Sequence, residues 1–81
     1  MNFNLWKENT EMLRQKGEQT DNPGFYLAIT ERCHALRDFL DDNFENILTE
    51  EEQETVNHYL GEGIMKSMVL LFKEIGGKDN D

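Results

Sequence analysis

A chain of 81 residues is the length of one small domain, and a single cysteine, Cys33, excludes an internal disulfide and fits a reducing compartment. With 17 acidic against 8 basic side chains, the net charge of −9 disfavours direct contact with nucleic acid or anionic lipid. Residues 1–7 carry no leader pattern and no apolar run approaches the ~20 residues that span a bilayer, so a soluble, cytoplasmic protein without membrane contact is expected.

Apolar residues recur at spacings of three and four rather than two, which is the helical period. The first helix is expected over residues 4–16, with Phe3, Leu5, Trp6, Met12 and Leu13 as its apolar side chains and Gly17 as its terminator. Residues 18–24 then read as a loop around the single proline. Asp21 or Asn22 is placed to cap the next helix, with Pro23 in its first turn.

The second helix is expected over residues 24–46. Phe25, Ile29, Cys33, Leu36, Leu40, Phe44 and Ile47 follow one another at steps of four or three and form one apolar stripe. Thr49 with Glu52 three residues on is a capping box, and Glu50 and Glu51 suit the positive end of a helix dipole. The third helix is expected over residues 50–75, burying Val56, Leu60, Ile64, Met68, Leu71 and Ile75 and stopping at Gly76 and Gly77. Gly61 and Gly63 interrupt it, at about 1 kcal/mol each relative to alanine, and imply either a kink or a close packing contact.

The fold expected is all-α: one domain over residues 1–81, with about 1–3 and 76–81 as frayed ends. It is a small helical bundle, a long antiparallel hairpin of the second and third helices with a shorter N-terminal helix packed on it.

Catalytic signals are sparse. Glu31 and His34 make a Glu-x-x-His spacing of the kind that di-iron bundles use, but both fall on the face away from the apolar stripe. His58 stands four residues from Glu54 and from Glu62, a spacing that suits surface ion pairing better than metal binding. Cys33 sits on the apolar stripe as a small buried hydrophobe, and no phosphate-binding or dinucleotide fingerprint is present. No enzyme activity, cofactor or metal is therefore expected.

Two surfaces stand out. Glu31, Asp38, Asp42 and Glu45, with Asp41 beside them, form an acidic stripe roughly 20 Å long on the second helix, with Arg32 and Arg37 displaced to its flanks. Such a stripe can imitate phosphates toward a basic partner, although an ordinary solvated face has the same look. The third helix is apolar almost all round from Ile64 to Ile75. Met65, Val69 and Phe72 form a surplus face beside the small residues Gly63 and Ser67. These five residues are the expected oligomer or partner contact.

The function expected is that of a non-enzymatic acidic protein-interaction module, dimeric, that binds and modulates another protein of unknown identity, a basic protein being one candidate. Small phage and plasmid regulators and inhibitors share this size and acidity, but no motif carries the likeness further. The alternatives are an acidic nucleic-acid mimic occupying a basic groove, and a small-ligand or nucleotide sequestering protein with its site between subunits.

Overall fold

The computed structural model describes residues 2–42 and 47–79, the last four of these as backbone only. Three helices follow in chain order: α1 (Phe3–Thr20), α2 (Pro23–Asp42) and α3 (Glu50–Asp79). There is no strand among the described residues. The architecture is the expected small helical bundle, in which α2 and α3 pair as an antiparallel hairpin and α1 packs on α2.

Each helix start has a local cause. Asn2 caps α1 by accepting a hydrogen bond from the Leu5 backbone N–H. Asn22 does the same for α2 through the Gly24 N–H at 2.9 Å, with Pro23 as the first helical residue. At α3 the capping box forms in full. The Glu52 N–H donates to Thr49 Oγ1 at 3.1 Å, and the Thr49 N–H donates to Glu52 Oε1 at 2.9 Å.

Gly17 does not end α1. The helix runs on to Thr20, and Asp21 closes it in the left-handed conformation (φ 53°), its N–H donating to the Gly17 carbonyl at 3.1 Å. Aspartate tolerates this conformation better than most residues with a Cβ. Gly17 is buried against Tyr26, whose ring carbons would stand 2.8–2.9 Å from a Cβ at that position. The glycine thus lets the first residues of α2 fold back onto α1.

Nor do Gly76 and Gly77 end α3, which continues to Asp79. Phe3 likewise belongs to α1 and packs against the core rather than fraying. The described part of α2 ends at Asp42; Phe44 of the expected stripe and Glu45 of the acidic stripe lie outside the described residues.

The core consists of Tyr26, Ile29, Cys33 and Leu36 from α2 with Val56 and Tyr59 from α3. Phe3, Trp6, Leu13, Leu40, Leu48, Leu60 and Leu70 pack around it. The Cys33 thiol donates to the Val56 carbonyl at 3.7 Å, and burial pushes its pKa up, as suits an inert core thiol. Further along, Gly63 faces the Tyr26 carbonyl and Thr30, where a Cβ would stand 3.0 Å and 2.8 Å away. The two contacts run in opposite chain directions on α2 and α3 and define the antiparallel register.

That register brings α3 to the start of α2 near Ser67. At 1.5 Å per residue, α3 is about 45 Å long against about 30 Å for α2. The second half of α3 therefore overhangs its partner, and the molecule measures 54 × 21 × 17 Å.

The overhanging half departs from the expected core. Ile64, Met68, Leu71 and Ile75 are exposed, whereas Gly63 and Ser67 are buried. Each four-residue step carries a side chain about 40° beyond a full turn, so the run Val56, Leu60, Ile64, Met68 drifts about 120° round the helix. The buried set Val56, Tyr59, Gly63, Ser67 and half-buried Leu70 mixes steps of three and four and stays on one side. Ile47, at 82 % exposed, is likewise outside the core.

Candidate interaction surfaces

Seven large apolar side chains are exposed on α3 between Ile64 and Ile75: Ile64, Met65, Met68, Val69, Leu71, Phe72 and Ile75. Met65 and Phe72 are 66 % and 65 % exposed, which rules out cover from α1. At about 100° per residue the seven span an arc of about 160°, centred nearly opposite the buried side of the helix. The apolar face of this half of α3 thus points away from its own bundle.

Of the five residues expected at an oligomer or partner contact, Met65, Val69 and Phe72 lie on this face. Gly63 and Ser67 do not. Gly63 is buried against α2, and Ser67 is buried one turn on, its hydroxyl donating to the Ile64 carbonyl at 3.0 Å. Ile64, Met68, Leu71 and Ile75, assigned by periodicity to the core, belong to the exposed face instead. The signal that could have placed them was available: Tyr59, Gly63 and Ser67 share a side with Val56, but only a small-residue criterion would mark the last two as contact positions.

Gly61, the other mid-helix glycine of α3, contrasts with Gly63. It is exposed, and a Cβ there would meet nothing within 4 Å. Gly61 falls on the line of the exposed face, one turn before Met65, and the packing of the chain on itself gives no reason for a glycine there.

The acidic stripe occupies the outer side of α2. Glu31, Asp38, Asp41 and Asp42 are all exposed. The two cations of the same helix are drawn elsewhere. Arg32 turns onto α1, donating to Thr10 Oγ1 at 3.1 Å and to the Trp6 carbonyl at 3.4 Å, with its guanidinium 5.8 Å from the Trp6 ring centroid. Thr10, fully buried, passes its own proton to the Trp6 carbonyl at 2.8 Å. Arg37 donates to Asn57 on α3. Among the described residues the ion pairs join Arg14 to Glu11, Glu18 and Glu62, and His58 to Glu62, and none involves the stripe.

The remaining polar cluster holds α1 to α3. Arg14 contacts Glu11 at 2.8 Å, Glu18 at 2.6 Å and Glu62 at 3.4 Å, and Tyr59 Oη donates to Glu11 Oε2 at 2.7 Å. The Arg14 hydrogen bonds and the Tyr59 hydroxyl hold the Glu11 carboxyl below the usual range. Burial and the Glu11 carboxylate push Tyr59 up to about 12. Every strong donor here is satisfied within the chain, so the cluster acts as a clasp. Glu31 and His34 are both exposed, and His58 Nε2 stands 3.5 Å from Glu62. Among the described residues no three His, Cys, Asp or Glu side chains gather as a metal site, and no helix is long and apolar enough to cross a membrane.

Protein-family models, curated proteins and solved structures offer no match to this chain.

Proposed function

We propose that the chain is a non-enzymatic protein-interaction module that binds and modulates another protein, with the exposed side of α3 as its association surface. The observation that carries this reading is the outward-facing arc of seven apolar side chains. Large exposed apolar patches on small proteins mark association surfaces, because full burial of a large apolar side chain is worth roughly 1.5–3 kcal/mol and these side chains, about half exposed, leave about half of that unrealised. The test is capture from native lysate by the full chain beside its Met65→Glu, Phe72→Asp variant, with captured proteins identified by mass spectrometry. Proteins held by the wild type and lost by the variant support the reading. The same set on both overturns it.

A second reading, an acidic mimic that occupies a basic groove, is favoured by one observation. Arg32 and Arg37 are engaged with Trp6, Thr10 and Asn57, so Glu31, Asp38, Asp41 and Asp42 present charge without opposite charge among them. Binding through this stripe weakens steeply with salt, whereas binding through the apolar face does not.

A further inference from the structure

We propose that the apolar face of α3 is covered by a second copy of the same chain, the two α3 helices packing antiparallel about a two-fold axis at Met68. The proposal rests on the reading of this face as an association surface and names its occupant.

Area is the first argument. With roughly 150–200 Å² for side chains that are mostly smaller than an aromatic's 150–250 Å², and about half of each of the seven exposed, the face offers on the order of 500–700 Å². The largest patch on an ordinary monomer is about 300–600 Å², and a standard interface buries about 800 Å² per partner. One helix face meeting its own copy therefore supplies most of an interface without any further element.

Gly61 is the second. A two-fold axis at Met68 sets each residue against the one equally far beyond the axis in the other copy. Met68 meets its own mate, Ile64 meets Phe72, and Gly61 meets Ile75. The one position on this face without a side chain thus receives an exposed isoleucine, and the glycine that the single chain leaves unexplained gains a packing role.

Charge chooses the direction. From Ile64 to Ile75 the only charged residues are Lys66, Lys73 and Glu74, a balance of +1 within a total of −9, so the remainder of the chain carries −10. Much of that charge is at the opposite end of the hairpin, in Glu50, Glu51 and Glu52 at the start of α3 and in Asp38, Asp41 and Asp42 near the end of α2. In a parallel pair the two Glu50–Glu52 clusters at the starts of α3 would sit side by side, about 10 Å apart. In the antiparallel pair they are separated by roughly 50 Å of helix, several times the ~8 Å screening length at physiological salt.

Sedimentation equilibrium of the full chain across the micromolar range is the first measurement, and a monomer–dimer equilibrium is expected. Phe72→Asp and, separately, Met65→Glu should give monomers of unchanged far-UV circular dichroism, because both side chains are largely exposed in the single chain. Gly61→Leu should weaken the dimer at least about tenfold. Direction is read by oxidative cross-linking, in which buried Cys33 stays silent. Gly61→Cys mixed with Ile75→Cys should give a linked heterodimer, while Gly61→Cys alone should not link. A wild type that stays monomeric, a dimer indifferent to both charge substitutions, or self-linking of Gly61→Cys overturns the proposal. If the wild type is monomeric, binding of a hydrophobic fluorescent dye that Phe72→Asp abolishes leaves the interaction-module reading standing. Absence of dye binding removes both.

Discussion

Tyr59 on α3 donates a 2.7 Å hydrogen bond to Glu11 on α1, across 48 residues of sequence, and so ties the helix that leads the chain to the one that ends it. Both groups report on folding through pH. The Glu11 carboxyl is held below its ordinary range, so its contribution is present above the unfolded value of about 4.3 and is lost as pH falls through the lower folded value. Tyr59 is raised to about 12, so its contribution is present below the ordinary tyrosine value of about 10 and is lost as pH rises through 12. Chemical denaturation should show stability falling on both limbs, by about 2–3 kcal/mol on the alkaline one. Tyr59→Phe should cost about 1.5–3 kcal/mol at neutral pH and flatten the alkaline limb.

Gly61 and Gly63 are two residues apart and should respond oppositely to the same change. A methyl at Gly63 would meet the Tyr26 carbonyl and Thr30, so Gly63→Ala should force α2 from α3 and cost about 1–2 kcal/mol net of improved helix propensity. A methyl at Gly61 meets nothing, so Gly61→Ala should stabilise by about 1 kcal/mol. Thermal melts in the Phe72→Asp background, where the apolar face is disabled, isolate these effects from association.

Core and face separate by the same means. Leu36 is buried, and Leu36→Ala should cost about 2–5 kcal/mol. Met65→Ala, in the Phe72→Asp background, should stay within about 0.5 kcal/mol of its parent. Equal losses at the two positions would mean that Met65 is covered within the single chain.

Neutralising the acidic stripe tests the second functional reading. Glu31→Gln, Asp38→Asn and Asp42→Asn together should leave helix content intact and stability unchanged or slightly raised, because Asp38 and Asp42 repel at a four-residue spacing. Partner binding that persists in the triple variant with its salt dependence unaltered would discard the mimic.

Three helices, their order and the hairpin were legible from the sequence alone, because each rests on local causes. The four-three spacing of Ile29, Cys33 and Leu36 specifies one buried stripe, and Thr49 with Glu52 satisfies the first-turn amides of α3 without tertiary help. The acidic stripe was legible for the same reason, since a helix face opposite a known core stripe must meet solvent. What only the tertiary structure decided was which side of α3 meets α2. From Ile64 onward the helix is apolar nearly all round, so hydrophobic periodicity has no preferred direction there. The choice falls to close approach: Gly63 lets α2 come within van der Waals reach of the α3 backbone, and that contact turns Ile64, Met68, Leu71 and Ile75 outward. Gly17 follows the same rule, ending nothing in its own helix and instead making room for Tyr26. A glycine's local conformational freedom can be read from sequence, but the neighbour that needs its missing side chain comes from elsewhere in the chain.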